Sequence, residues 1–213
     1  PFPFLEERSC SKCSPSNRQM NNYRPLIRKN PGPWVEHSRS VAENARRIAE
    51  HTDCINPDTA YTMGLLHDIG RAAGVSGIRH IFDGYDRMNE LGQPTIARIC
   101  LTHSFPLKNI RAFQGSFDCS KQQLAFLQRF LDSCSYDNYD RLIQLCDALS
   151  LPSGACILEK RLVDVALRHG INDLSLEKWS AFLQLKQHFD RLCRCNLYTL
   201  LPNVLENSSV DLI

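Results

Sequence analysis

The sequence predicts an all-α protein, and three observations support that prediction. Apolar residues recur at intervals of three and four positions along most of the chain between Trp34 and about Phe189, as they do on the buried face of a helix. Prolines and capping residues stand where helices begin. No stretch of useful length alternates apolar and polar residues as a half-buried strand would. The 213 residues suit one domain of good size, with room for a small appendage.

The first predicted helices follow from short local patterns. From Val35 to Ala49 the apolar positions obey the i, i+3, i+4, i+7 rule. Asn56-Pro57 begins the next helix, because proline is favoured in the first helical turn. Its apolar stripe runs from Ala60 to His67. A turn from Gly70 to Gly77 separates it from a third helix at about His80 to Leu91.

The later helices are predicted in the same way. Pro94 opens a helix that ends at Phe105-Pro106. Ser120-Lys-Gln-Gln123 forms a capping box before the apolar segment "LAFLQRFL". Further helices are expected from about Tyr139 to Pro152, from Cys156 to His169, and from Ser175 to about Phe189.

Three regions are predicted along the chain. Residues 1–33 are rich in Pro, Ser, Asn and basic residues and end in "NPGP", which is typical of an arm or linker. Residues 34–192 form the helical core, and residues 193–213 form a C-terminal tail. The chain from Arg191 onward is expected to be irregular, and the segment "LPNVLENSSVDLI" is expected to pack loosely or fray.

The composition is that of an ordinary globular protein, with 43% apolar and 23% charged residues. The net charge is +2 with both signs interspersed, whereas nucleic-acid and membrane-surface proteins show a basic block or stripe. No apolar run approaches the length of about 18 residues that spans a bilayer, and no secretory signal is visible. We therefore expect a cytoplasmic protein with no membrane partner and no specific nucleic-acid binding.

The ten cysteines are scattered, and three of them (Cys100, Cys146 and Cys156) occupy apolar positions of predicted helices. We expect reduced, mostly buried thiols, as in a cytosolic protein. Cys10-Ser-Lys-Cys13 and Cys193-Arg-Cys195 could each supply half of a zinc site. Free thiols are the preferred interpretation of both pairs.

Polar residues occupy buried-face positions on four separate predicted helices. His37 precedes Val41 by four positions, His67 continues the stripe of its helix, His103 follows Ile99 by four, and Asp147 follows Ile143 by four. A buried polar group without a partner costs about 1–3 kcal/mol, and a buried carboxylate costs more. One such histidine could be a hydrogen-bonded core residue. Polar side chains at buried positions of four helices favour one common binding partner for all of them. A divalent metal ion is such a partner, because imidazole and carboxylate are good ligands for first-row metals.

The remaining histidines are less clear from the sequence. His80 begins a helix rather than continuing a stripe, and Asp83, three residues later, could orient it. His51, His169 and His188 lie near helix ends or among polar residues, where a histidine is favourable for other reasons. We assign these three no role in a site.

The residues His37, His67-Asp68 and Asp147, in that order on helices, resemble the signature of the HD-domain superfamily of metal-dependent phosphohydrolases. The segment "LLHDIGR" matches its central motif closely, and the resemblance covers about Trp34 to Leu149. It implies an HD-domain helical bundle, with the later helices as extra C-terminal elaboration. The chain also resembles a bacterial branch of HD proteins that brings no assigned substrate. It lacks the GYP motif of the cyclic-dinucleotide phosphodiesterases.

Two-metal members of the superfamily have two more histidines between the HD pair and the last aspartate. His80 lies 12 residues after Asp68, His103 follows 23 later, and Asp147 another 44 later. The resemblance therefore implies a dinuclear centre with Asp68 as the bridging ligand. Its six ligands would be His37, His67, Asp68, His80, His103 and Asp147. Fe, Mn, Co, Ni or Zn all suit four imidazoles better than Mg does.

The predicted activity is hydrolysis of a small phosphoester, with a nucleotide as the expected substrate. Two metals can hold a water and lower its pKa to near neutrality, and the resulting hydroxide can attack phosphorus. Asp68 and Arg71 are the predicted catalytic residues. Cations are also needed to bind phosphate, and the predicted ones are Arg71, Lys108, Arg111, Lys160 and Arg161.

Two other functions are compatible with the same residues. A minority of HD proteins resemble this ligand set but use two irons to cleave a C–H or C–C bond with O₂. A regulatory HD protein with a degenerate site is the third hypothesis, although all six expected ligands are present. A homodimer is possible, but nothing in the sequence requires one.

Overall fold

The structure is a computed structural model that describes residue 25 and residues 29–209. Nine α-helices lie within these residues: α1 Pro33–Ala49, α2 Pro57–Leu66, α3 Arg79–Glu90, α4 Pro94–Thr102, α5 Lys121–Ser133, α6 Asn138–Ala148, α7 Leu158–His169, α8 Ser175–Cys193 and α9 Val204–Ser208. Short 3₁₀ helices occur at Ile69–Ala73, Ile110–Ala112 and Leu197–Thr199. The prediction of an all-α protein is confirmed.

The helix starts follow the local sequence. Proline occupies the first turn of α1, α2 and α4, where its missing N–H removes no hydrogen bond. The side chain of Asn56 caps α2 by accepting from the backbone N–H of Thr59 at 2.9 Å. The predicted capping box of Ser120 and Gln123 is present at α5. A second capping box, formed by Asp137 and Asp140, begins α6.

Helices α1 and α2 pack closely against each other, and Gly64 makes that approach possible. A Cβ atom at Gly64 would lie 2.8 Å from Cα of Ala42, which is too close for two carbon atoms. Helix α6 packs on both α1 and α2. The largest apolar cluster lies between these three helices and α8, and it includes Val41, Ala45, Ile48, Met63, Ile99, Leu142, Leu145, Phe182 and Phe189.

Helices α3 and α4 form a second pair that packs beside the 3₁₀ helix Ile69–Ala73. Helix α5 covers α3 and α4 through a cluster that contains Phe82, Phe105, Leu127 and Leu131. This packing places the C-terminal ends of α2 and α4 near the N-terminal end of α3.

The C-terminal segment packs against the core, so the expectation of loose packing for "LPNVLENSSVDLI" is wrong at Leu201 and Val204. Leu197, Leu201 and Val204 are buried in the main apolar cluster. Helix α8 also continues four residues past Phe189 to Cys193. A short antiparallel hairpin, β1 Ser150–Leu151 and β2 Gly154–Ala155, was not predicted, because two-residue strands carry no periodic signal.

Every cysteine within the described residues is a free thiol, as expected. Cys193 is buried and its Sγ lies 3.6 Å from the carbonyl oxygen of Ile48, so it belongs to the core. Cys10 and Cys13 lie outside the described residues, as does most of the arm predicted over residues 1–33. Among the described helices, none combines the length and the apolar character that crossing a membrane requires.

Candidate metal centre

The six predicted ligands converge where several helix ends meet. His67 directly follows α2, His103 directly follows α4, and His80 is the second residue of α3. His37 comes from the second turn of α1, and Asp147 comes from the last turn of α6. The ring centroids of His67 and His103 are 5.0 Å apart, and those of His37 and His67 are 5.5 Å apart. Helix ends therefore bring together side chains that are separated by up to 110 positions in the sequence.

Three of the four imidazole rings are oriented by backbone carbonyl groups. Nδ1 of His67 donates to the carbonyl oxygen of Gly64 at 2.6 Å, and Nδ1 of His103 donates to that of Cys100 at 2.9 Å. Nδ1 of His80 donates to the carbonyl oxygen of Gly77. In each ring the proton is then on Nδ1, and the lone pair of Nε2 faces the cluster. This is the arrangement that orients histidines as metal ligands.

The carboxyl of Asp83 does not orient His80, contrary to the expectation from the sequence. Asp83 instead lies 3.6 Å from Nε of Arg79 in an ion pair along α3. The backbone carbonyl of Gly77, and not the side chain of Asp83, accepts the hydrogen bond that orients the His80 ring.

Two sets of donor atoms are close enough to share an ion. His37, His67 and Asp147 form one set, in which the donor atoms lie within 4.8 Å of one another. His67, Asp68 and His103 form the other set. His80 joins the second set through Asp68, because its Nε2 lies 3.1 Å from Oδ1 of Asp68.

Buried atoms without a hydrogen-bonding partner indicate that the cluster suits a cation. Nε2 of His67 and Oδ1 of Asp68 are both buried, and neither makes a hydrogen bond. Nε2 of His80 and Nε2 of His103 face each other at 3.5 Å, although both carry lone pairs when Nδ1 is protonated. Such lone pairs repel each other, and a divalent ion would turn the repulsion into coordination. The residues present therefore fit one or two divalent metals.

His37 and Asp147 form a direct pair at the other side of the cluster. Nε2 of His37 donates to Oδ1 of Asp147 at 2.9 Å. Burial acts to raise the pKa of Asp147, but this hydrogen bond and the nearby imidazoles outweigh it and lower the pKa. The carboxylate is therefore ionised at neutral pH, as a metal ligand must be.

Burial and neighbouring charges also shift the pKa values of Asp68, His67 and His103. Burial acts to raise the pKa of Asp68, but the charge of Arg71 and the neighbouring histidines hold it well below its usual range. Burial lowers the pKa of His67, and it lowers the pKa of His103 to about 3. At neutral pH the cluster thus presents ionised carboxylates and neutral imidazoles, which are the protonation states that bind metal.

A cavity of about 1000 Å³ opens from the cluster. His37, Asp68, His80, His103 and Asp147 lie in its wall. It is at the upper end of the range for small-molecule sites, about 300–1,000 Å³. Its size therefore accommodates a ligand as large as a nucleotide.

Only two of the five predicted phosphate-binding cations, Arg71 and Arg161, line this cavity. The amine of Lys108 donates to the carbonyl oxygen of Cys134 and lies 5.0 Å from the ring centre of Tyr136. Arg111 is exposed and forms an ion pair with Asp173. Lys160 precedes Arg161 on α7, and a step of one residue turns a helical side chain by about 100° to another face. The cavity therefore lends no support to phosphate binding by Lys108, Arg111 and Lys160, and that role stays a prediction.

Several residues in the cavity wall had no role in the sequence analysis. Asn30 lines the cavity, and its side chain donates to the carbonyl oxygen of Arg71 at 2.8 Å. His169, which we had set aside, is also in the wall, together with Arg168 and Lys178. A basic face near the end of α7 was visible in the segment "LRH", but nothing in the sequence linked it to the HD pair.

The chain has no match among curated proteins or among solved structures. A family model described as HD domain matches residues 34–151, more than half of the 213 residues, and the chain therefore belongs to the HD-domain family.

Proposed function

We propose that this protein is a metal-dependent phosphohydrolase that acts on a nucleotide or another small phosphoester. The observation that carries the proposal is the convergence of four imidazoles and two carboxylates, of which all but His67 lie in the wall of one large cavity. Proteins of the HD-domain family are generally phosphohydrolases, which agrees with this assignment.

The proposed ligands form two groups, one on each side of Asp68. His37, His67 and Asp147 would hold one divalent metal, and His80 and His103 would hold a second, with Asp68 between them. When bound, two such metals supply Lewis acidity and a water of lowered pKa. Because all four imidazoles are available for binding, Fe, Mn, Co, Ni or Zn suit the site better than Mg.

Arg71 contacts Asp68, the carboxylate that both groups of proposed ligands would share. Its Nε donates to Oδ2 of Asp68 at 2.6 Å, and its Nη1 donates to the carbonyl oxygen of Ser76 at 3.3 Å. These bonds fix the guanidinium in the cavity wall and keep Asp68 ionised. A guanidinium has five N–H donors, so others remain for an oxygen of the substrate phosphate.

Elemental analysis of the purified protein, combined with phosphate release from a panel of phosphoesters, tests the proposal. We expect about two metals per chain, and loss of metal and of phosphate release in His67→Ala and in His80→Ala. His51→Ala is the matched control, because His51 is exposed and its Nδ1 donates to the carbonyl oxygen of Arg47 in the helix that precedes it.

Three results would contradict the proposal in different ways. Absence of metal under every loading condition would exclude a metalloenzyme. One metal that is unaffected by His80→Ala would remove His80 from the ligand set and reduce the site to a mononuclear one. Iron-dependent oxygen consumption without phosphate release would assign the cluster to oxygenase chemistry instead.

A further inference from the structure

Lys178 is a buried ammonium group in the wall of the cavity. Only 8% of the residue is exposed, and its amine donates to the carbonyl oxygen of Ala112 at 3.0 Å. The ring centre of Phe182 lies 6.0 Å from the same nitrogen. An ammonium group has three N–H donors, and a neutral carbonyl does not compensate for its desolvation as a carboxylate would. The position of Lys178 is therefore costly, and an anion bound in the cavity would lower that cost.

Other positively charged side chains lie in the same wall of the cavity as Lys178. Arg161 lines the cavity together with Lys178. Burial lowers the pKa of Lys178 to about 8; the charge of Asp147 opposes this shift, and the charge of Arg161 adds to it. Arg168 is in the same wall. One carboxylate, Asp164, serves both arginines, at 2.9 Å from Arg161 and 2.6 Å from Arg168. Arg161 and Arg168 thus share one carboxylate at this wall, and Lys178 has the charge of Asp147 as its main favourable influence.

This basic wall belongs to α7 and α8, and both helices lie beyond the residues that the HD-domain model matches. The metal-binding cluster belongs to the matched region. The two regions line one cavity from different parts of the chain. The C-terminal helices can therefore select among substrates without changing the groups that act on the scissile phosphate.

We infer that Lys178 and Arg161 bind a second anionic group of the substrate, a phosphate or a carboxylate, other than the phosphoryl group that is cleaved. The inference rests on the proposed function and makes it narrower. The substrate class is a small phosphoester that carries a second negative group, such as a nucleotide with two separate phosphates or a phosphorylated acid. Charge-assisted hydrogen bonds to this group would favour such substrates over simple monoesters.

A purely structural role for Lys178 would give a different result when the residue is replaced. Its bond to Ala112 ties α8 to the 3₁₀ helix Ile110–Ala112. If this were its whole role, Lys178→Met would change stability but would not change the preference among substrates. Measurements of selectivity and of anion binding therefore separate the two roles.

The first measurement is calorimetric titration of the full-length protein with inorganic phosphate. It compares the unaltered protein with Lys178→Met and with the control Lys186→Met. Lys186 lies on the same helix but pairs with Asp190 at 2.7 Å, away from the cavity. We expect about a tenfold or greater loss of phosphate affinity in Lys178→Met and no change in Lys186→Met. Repeating the titration in a His67→Ala background keeps phosphate held by metal from masking the result.

The second measurement is kcat/KM for matched pairs of phosphoesters. Adenosine 3′,5′-bisphosphate is compared with adenosine 5′-monophosphate, and 3-phosphoglycerate with glycerol 3-phosphate. We expect the doubly anionic member of at least one pair to be preferred by tenfold or more, and Lys178→Met to abolish that preference while monoester hydrolysis remains. The pair that shows the preference distinguishes a phosphate from a carboxylate.

The outcomes separate this inference from the proposed function. Loss of phosphate binding in Lys178→Met without hydrolysis of any phosphoester would support the anion site and overturn the phosphohydrolase. Hydrolysis with unchanged selectivity and unchanged phosphate binding in Lys178→Met would overturn the anion site alone. If Lys178→Met does not fold, Arg161→Gln provides the phosphate titration and the comparison of substrate preference, because Asp164 keeps its bond from Arg168.

Discussion

Arg71 donates from Nε to Oδ2 of Asp68 at 2.6 Å, and Oδ1 of the same carboxylate faces Nε2 of His80 at 3.1 Å. One carboxylate oxygen is thus held by the arginine, and the other is directed at the cluster of imidazoles. Asp68 is buried, whereas Arg71 reaches the cavity with a third of its side chain exposed. Arg71 therefore connects the orientation of the central ligand to the space that a substrate would occupy.

Replacing Arg71 with glutamine is expected to weaken metal binding as well as activity. Without the guanidinium, Asp68 loses its fixed orientation and the charge that most lowers its pKa against the opposing effect of burial. Loss of such a supporting partner typically reduces metal affinity by about 10–100-fold, which competition with a chromophoric chelator would measure. Arg79→Gln is the control, because the side chain of Arg79 is 62% exposed and pairs with Asp83 at 3.6 Å instead of with Asp68. Equal metal affinity in both variants would restrict Arg71 to contact with substrate.

The metal-free protein is expected to lose stability as the pH falls from about 6.5 to 5. His67 and His103 are neutral in the folded state, because burial lowers their pKa from the ordinary value of 6.5. In this range the unfolded chain binds protons at both positions and the folded protein does not. The free energy of unfolding therefore decreases by about 1.4 kcal/mol per pH unit for each fully titrating group. Urea unfolding at several pH values measures this slope.

His103→Asn removes one of the two groups and provides the internal control for that slope. We expect the dependence between pH 6.5 and 5 to become weaker by about 1.4 kcal/mol per pH unit. Asp68 and Asp147 contribute at lower pH, because both have a lowered pKa and lose their contribution only as the pH falls below about 4. A slope that is the same in His103→Asn and in the unaltered protein would show that His103 is already protonated when folded.

The burial of two candidate metal ligands could be predicted from the sequence because helical periodicity reports burial directly, whereas His80 was added by the family resemblance. His67 and His103 continue apolar stripes, and both are buried in the structure. The family resemblance, stated for Trp34 to Leu149, agrees with the matched residues 34–151. The cations could not be assigned in this way. Whether a surface cation reaches a cavity depends on which nearby acceptor its side chain binds. The amine of Lys108, for example, donates to the carbonyl oxygen of Cys134 instead of reaching the cavity.

The basic wall could not be predicted for a related reason. Lys178 appears in the segment "SLEKWSAF" as one more charged residue of a helix start. Its burial results from the packing of α8 against the 3₁₀ helix Ile110–Ala112, a contact between positions 66 residues apart. Pairings at such a distance leave no local signal, since each helix satisfies its own periodicity independently of its neighbour.

A buried carboxylate outside the cavity connects the helices that carry His103 and Asp147. Asp140 of α6 is fully buried and accepts hydrogen bonds from Arg98 and from Oγ1 of Thr102, the latter at 2.8 Å. Arg98→Met would leave that charge without its partner, which is expected to lower the free energy of unfolding by about 3 kcal/mol. Urea unfolding measures the change. Asp140→Asn in the same chain should recover much of it, because a neutral amide is less costly to bury.

An exposed ion pair serves as the control for Arg98. Arg39→Met breaks a pair with Glu36 in which both side chains are about half exposed, at 51% and 56%. Such pairs contribute about 0–1 kcal/mol. If Arg98→Met were no more destabilising than Arg39→Met, Asp140 would have to be neutral when folded, and the link between α4 and α6 would be a simple hydrogen bond.

Gly70 permits the close approach that brings His80 to Asp68, and its replacement by alanine is expected to abolish the metal centre. A Cβ atom at Gly70 would lie 1.8 Å from the carbonyl oxygen of His80 and 2.5 Å from the backbone nitrogen of Gly84. Both atoms belong to the backbone of α3, so no side-chain rotation relieves the overlap. The start of α3 must therefore move away from the segment that carries Asp68, which removes His80 from the cluster.

We expect Gly70→Ala to destabilise the protein by about 3 kcal/mol, at the upper end of the range for overpacking, and to reduce metal content at least to the level of His80→Ala. Gly32→Ala is the control, because its new methyl group would meet only the side chain of Trp34, at 3.3 Å. Urea unfolding and elemental analysis of the two variants measure both effects. Full metal content in a folded Gly70→Ala protein would mean that α3 can shift without displacing His80, and that this contact does not set the geometry of the site.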